Sequence, residues 1–177
     1  MVFEAVGEIE SKEALYPASI GALVKCEGEL IMIKRDNNPN IPDPGKIGLI
    51  GGGIEPGESE NEALLREIGE EIGINVKENQ IVNLGTLEDE TGNGQIKNLA
   101  LVEITKEQKK NIHKGDEGER IEYFTTENLP DEKDIVPDLK GIIIQNRDSL
   151  KKWLQGEEIK ASELGIQSYP QHVSTLL

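Results

Sequence analysis

The stretch from Gly51 to Ile74 constrains this chain more than any other. It opens with Gly51, Gly52 and Gly53, directly after the short apolar run 47–50. Residues without a Cβ permit chain reversal or close approach of a neighbour, and three together should break the strand before them. A helix follows. Ser59 suits an N-cap, Glu62 stands at capping-box spacing, and Gly73 suits a left-handed stop. Ala63, Leu64, Leu65, Ile68 and Ile72 recur at helical period, which predicts a helix over 60–72. At about 100° per residue, Leu64, Leu65, Ile68 and Ile72 form an apolar arc. Glu67, Glu70 and Glu71 lie at i, i+3 and i+4 and share a second arc of about 100°.

Three carboxylates crowded in this way repel one another. Like charges at i,i+4 cost a few tenths of a kcal/mol even in water. Glu70 and Glu71 also lie near the helix C-terminus, where the dipole disfavours anions. A hard divalent cation would remove both penalties, and Mg²⁺ takes oxygen ligands of this kind. Arg66 is four residues after Glu62 and four before Glu70, so it can pair with either. On spacing alone an ordinary solvated acidic face stays open, and a glycine-rich turn before a helix is a weak signal of phosphate binding.

Elsewhere the chain reads as strands with a few helices. Residues 18–25 and 29–35 form an expected hairpin around Glu27-Gly28. Residues 36–46 are a loop with Pro39, Pro42 and Pro44. Strands are expected at 47–50, 81–87, 95–104 and 120–125, with a turn-rich stretch at 89–94. Thr105 to Gln108 can cap a short helix ending near Ile112. Asp138 is expected to cap a last helix over 139–154, carrying Ile142, Ile143, Leu150, Trp153 and Leu154. The domain is thus expected at 18–154. Residues 1–17 read as an arm or edge strand, and 155–177 as a tail whose Leu164, Ile166, Tyr169, Val173 and Leu176 need cover. A homodimer contact is the preferred cover. The class is mixed α/β.

Charge narrows the partners. The net charge of −15 repels phosphate backbones and anionic membrane, so no nucleic acid polymer and no membrane is expected. A small nucleotide recruited through a cation is not excluded. The single cysteine, Cys26, allows no intrachain disulfide and reads as a packed thiol. With no signal-peptide pattern at the N-terminus, a cytoplasmic location is expected.

Taken together the residues match one pattern. Gly52, five residues, Glu58, seven residues, Arg66-Glu67, an aliphatic residue, any residue, Glu70-Glu71, any residue, Gly73, an aliphatic residue: this resembles the Nudix box with each position filled. A chance match is on the order of 10⁻⁹ to 10⁻¹⁰ per start position at average composition. The flanking elements resemble the Nudix α/β/α sandwich with a mixed sheet over 18–154. Residues 116–123, which include Asp116, Glu117 and Glu119, resemble the acidic loop and strand that supply a further carboxylate in many members. Two positions depart: where many members have Pro before the paired glycines and Trp a few residues earlier, Ile50 and Ile47 stand here.

The resemblance implies a hydrolase of the pyrophosphate linkage in nucleoside diphosphate derivatives. Glu67, Glu70 and Glu71, with the main chain near Gly52, would bind Mg²⁺, with Mn²⁺ as a substitute. Gly51, Gly52 and Gly53 would lie against the substrate. Arg66 would orient the glutamates, and Glu58 would support the junction of loop and helix. The general base would be Glu67, Glu117 or Glu119, and the 116–119 loop, polar and glycine-containing, is expected to close over the site. Signatures of the ADP-ribose and dinucleoside polyphosphate types are missing near Glu90. Cleavage of a (d)NTP to a monophosphate and pyrophosphate is therefore the first choice, with nucleotide sugars or ADP-ribose next. A non-catalytic nucleotide sensor is the alternative from another class.

Overall fold

The computed structural model describes residues 19–87 and 97–167. The arm at 1–17, the 89–94 turn, and Tyr169, Val173 and Leu176 lie outside the described residues. Among the described residues one mixed sheet carries helices on both faces.

Its centre is β1 (Ser19–Cys26), buried along nearly all its length. β2 (Glu29–Lys34) returns antiparallel through Glu27 and Gly28, with φ 52 and 81. Left-handed backbone at both turn residues matches the twist of the two strands. The hairpin then splays, and the segment after the proline loop fills the wedge. β3 (Ile47–Gly48) pairs with the end of β2, and β4 (Ile50–Gly53) pairs with the start of β1.

The three glycines therefore do not break the strand; they are the strand. Gly51, Gly52 and Gly53 face Gly21, Ile20 and Ser19 of β1. The switch comes at Leu49, whose side chain covers Gly21, where a Cβ would sit 2.8 Å from Leu49 Cδ1. Backbone pairing with β1 outweighs the weak strand propensity of glycine, which is context-dependent.

β5 (Ile81–Leu87) and β6 (Lys97–Glu103) extend the sheet on the other side, β6 parallel to β1. β7 (Arg120–Phe124) lines the outer edge of β2. α1 (Glu60–Ile72) lies where its period places it, with the Ser59–Glu62 capping box formed and Gly73 left-handed at φ 69. Ala63, Leu64, Ile68 and Ile72 pack on Ile20, Ala22, Val24 and Ile50, while Leu65 is half-buried. Cys26 is fully buried in the same layer. α2 (Lys106–Lys110) is capped by Thr105 and Gln108.

The last helix is not one piece. Pro137–Leu139 forms a 3-10 turn, Lys140–Gln145 widens into a π-type turn, and α3 (Arg147–Leu154) follows. Asn146 interrupts, because its backbone N–H and its side chain both bond the Gly141 carbonyl, at 3.0 and 2.8 Å. Asp138 caps nothing; one oxygen pairs with Lys97 at 2.9 Å. The apolar stripe still works, since Ile142, Ile143, Leu150, Trp153 and Leu154 are all buried. Lys25 ties this layer to the sheet, its Nζ donating to the Trp153 carbonyl at 2.8 Å and lying 4.7 Å from the indole centre.

The tail is partly core. Leu164 and Ile166 are 1% and 4% exposed and pack in the α3 layer, and Gln167 bridges to Thr86 of β5. The expected dimer role is corrected for these two, because their own domain covers them. Leu164→Ala should therefore cost about 2 kcal/mol of stability, as burial without full collapse of the cavity demands. Urea unfolding measures it; an unchanged midpoint would contradict the packing. Among the described residues no helix is long and apolar enough to cross a membrane.

Candidate active site

α1 meets β4 along its polar edge, and each glycine makes a different contact. Gly51 N–H donates to Glu71 Oε2 at 2.8 Å. Gly52 presents its bare Cα to the Glu67 carboxylate, which occupies the space a Cβ would need. Gly53 offers its carbonyl to Arg66 Nη2 at 2.9 Å. A side chain at Gly52 would displace the Glu67 carboxylate, so the strand and that carboxylate can lie this close only because glycine is there.

Arg66 holds the cluster together. Nε and Nη2 bind both oxygens of Glu58, at 2.8 and 3.0 Å, in the planar fork that suits a guanidinium. Nη1 reaches Glu67 Oε1 at 2.8 Å and Glu70 Oε2 at 3.3 Å. Glu62, the other partner the spacing allowed, is turned instead to the N–H and hydroxyl of Ser59. Glu58 also accepts Glu55 N–H at 3.0 Å, so it pins the loop before α1 to the helix, as expected. The Arg66 bonds, then that N–H, hold the Glu58 carboxyl down at about 2.

The three helix carboxylates are not equivalent. The Glu70 side chain is 61% exposed and that of Glu67 12%. Glu71 is buried under β4. Burial pushes the Glu71 carboxyl up to about 8; Glu67 and Glu117 add to the rise, while the Gly51 N–H and Arg35 oppose it. Glu67 is also raised, first by burial and then by Glu70 and Glu117, against the pull of Arg66.

The acidic loop divides its two glutamates. Gly115 N–H donates to the Glu71 carbonyl at 2.9 Å, and Glu119 N–H to the Lys34 carbonyl at 2.7 Å. Glu117, between these ties, stands close enough to act on both Glu67 and Glu71. Glu119 points to Lys34, at 3.8 Å, and Arg120, at 2.7 Å, and lines a separate groove with Lys46 and Lys133. The loop expected to be a free lid is tied at both ends. Arg35 is a residue that the sequence reading missed. It follows β2, packs over Gly48 and lowers the Glu71 carboxyl. Only the β2–β3 register brings it there, so no local pattern could have marked it.

Among the described residues no three acidic, His or Cys side chains converge in a ready-made cage. Arg66 draws Glu67 and Glu70 to itself instead. The donor set nonetheless fits a hard divalent cation. It offers carboxylate and main-chain oxygens, and burial raises both inner carboxyls, an effect that a bound cation would oppose.

The chain resembles known proteins in both sequence and fold. The NUDIX domain family matches residues 15–145. A Methanocaldococcus jannaschii protein named ADP-ribose pyrophosphatase is 31% identical over 117 residues, 66% of each chain. A Salmonella agona protein named nucleoside triphosphatase NudI is 43% identical over 51 residues, 29% of this chain and 36% of its own. The chain thus spans less than two thirds of the length of these relatives. The MutT protein of Methanosarcina mazei shares the fold, with a TM-score of 0.55 at 20% identity over 82% of this chain and 96% of its own. The box, the glycine strand beneath it and the family match together place this chain in the Nudix hydrolase family.

Proposed function

We propose that this chain hydrolyses the pyrophosphate linkage of a small nucleoside diphosphate derivative with the help of Mg²⁺, or Mn²⁺ in its place. The observation that carries the reading is the complete box packed on the glycine strand, with Glu67 against Gly52, Glu71 on the Gly51 N–H and Glu117 near both. Glu67, Glu70 and Glu71, with the main chain at Gly52 and Glu117 from the loop, are the residues that would hold the cation. When bound it supplies positive charge to the diphosphate oxygens and makes a water more acidic. Gly51 and Gly53 support α1 from the strand, and Gly52 leaves room for Glu67 and a phosphate oxygen. Arg66 positions Glu67 and Glu70, and Glu58 anchors Arg66. Glu67 or Glu117 takes the proton of the attacking water, while Glu119 is turned away and drops out of that role. Water adds at one phosphorus, the P–O–P bond breaks, and the leaving phosphate departs with the bond's electrons.

A (d)NTP cut to a monophosphate and pyrophosphate remains the first substrate reading. The archaeal relative, matched over 117 residues, favours ADP-ribose as the second. A silent nucleotide sensor is disfavoured because every box carboxylate is present. A panel of (d)NTPs, ADP-ribose and nucleotide sugars with Mg²⁺ should show turnover on at least one, with pyrophosphate release for the first reading and two monophosphates for the second. Nucleotide binding with no hydrolysis across the panel would sink the enzymatic reading.

A further inference from the structure

Glu117 stands between two glycines, and each of them is required where it is. Gly115 lies flat on the last turn of α1. A Cβ there would run into the main-chain oxygen of Glu70 and come within 3.3 Å of Glu71 Cα. These are backbone atoms of a capped helix, which cannot turn aside as a side chain can. Gly118 has φ 79, a conformation that other residues adopt only at a cost, and a Cβ there would meet Ile33 Cδ1 at 2.7 Å. The chain is bonded on both flanks, at 2.9 Å from Gly115 to Glu71 and at 2.7 Å from Glu119 to Lys34. Only Asp116 and Glu117 lie between the two glycines. At roughly 3.5 Å per residue so short an arm keeps the Glu117 backbone within about 7 Å of either tied residue.

We infer that Gly115 and Gly118 act as a two-point clasp that seats the loop carrying Glu117 on the end of α1 before any nucleotide arrives, so that both glycines are positioning residues. The inference rests on the proposed reading of Glu117 as a cation ligand. It replaces a lid that closes on substrate with a loop already seated, from which only the Glu117 side chain has to turn to the cation, and it makes cation binding independent of nucleotide.

The test is Mn²⁺ binding to the full, nucleotide-free protein, followed by the paramagnetic resonance of free Mn²⁺. Glu117→Gln and Gly115→Ala should each weaken binding about tenfold or more, as loss of a ligand or its support does. The double variant should bind no more weakly than Glu117→Gln alone, because both changes remove one contact. Glu119→Gln should bind as wild type. If Glu117→Gln leaves affinity unchanged, the ligand reading falls and takes the clasp with it. If Glu117→Gln weakens binding but folded Gly115→Ala does not, the clasp alone falls. A double variant weakened by the product of the single effects also overturns it. Should Gly115→Ala fail to fold, one glycine inserted between Asp116 and Glu117 keeps both ties and adds slack. The clasp requires the same tenfold loss there, and wild-type affinity refutes it.

Discussion

Replacing Glu71 by Gln should lower turnover about a hundredfold while making the metal-free protein more stable. The two effects share one cause. Glu71 is 8% exposed under β4, with one oxygen accepting the Gly51 N–H at 2.8 Å. Burial, then the charges of Glu67 and Glu117, push its carboxyl from 4.5 in the free side chain to about 8. Between those values the folded metal-free protein keeps a proton that the unfolded chain releases. The stability this proton contributes is complete below pH 4.5, falls by about 1.4 kcal/mol per unit through the window, and is gone above 8. Gln keeps the shape and the acceptor for Gly51 but carries no charge, so the pH slope should disappear. At pH 8 the variant should exceed the wild type by a few kcal/mol in urea unfolding with a chelator present. At pH 4.5 the two should agree. The same substitution removes a charged oxygen ligand, which is why turnover falls. Equal stability at pH 8 would refute the buried-carboxylate account, and near-normal turnover at limiting Mg²⁺ would remove Glu71 from the cation site.

Arg66→Ala should cost roughly 2–3 kcal/mol of stability, less than a fully buried pair because solvent screens part of the site. The guanidinium side chain is 24% exposed and reaches Glu58, Glu67, Glu70 and the Gly53 carbonyl. Its loss frees Glu58 from the helix and leaves Glu67 and Glu70 without their cationic neighbour. Turnover should fall by about ten- to a hundredfold through disordered carboxylates. Saturating Mg²⁺ should return part of the stability, since a bound cation favours the folded state by mass action. Arg66→Lys should recover little of either, because an ammonium cannot span Glu58, Glu67 and the Gly53 carbonyl at once. Full recovery by Lys would show that charge alone matters, and wild-type behaviour of Arg66→Ala would take the residue out of the site's support.

What lay within about one helical turn was legible in the sequence. The capping box at Ser59, the stop at Gly73 and the separate arcs of Ile68 and Glu67 all follow from spacing, because a helix sets its neighbours at i+3 and i+4 wherever it lies. The Glu27-Gly28 turn was legible for the same reason: two residues must adopt left-handed backbone to match strand twist. The apolar stripe of Ile142, Leu150 and Trp153 was read correctly, but not the break at Asn146, which depends on a competing side-chain bond to Gly141. Nothing local distinguished Glu71 from Glu70. Only the docking of α1 on β4 buries one and leaves the other at the rim, because β4 lies against one side of the carboxylate arc. Leu164 and Ile166 looked like a loose apolar tail until the α3 layer gave them a place to pack. Glu117 and Glu119 are equal in type and two residues apart, so the sequence could not choose between them. The bonds of Gly115 to the end of α1 and of Glu119 to Lys34 set them apart in space, and they join segments that are remote in the chain and meet only when the sheet closes on the helix.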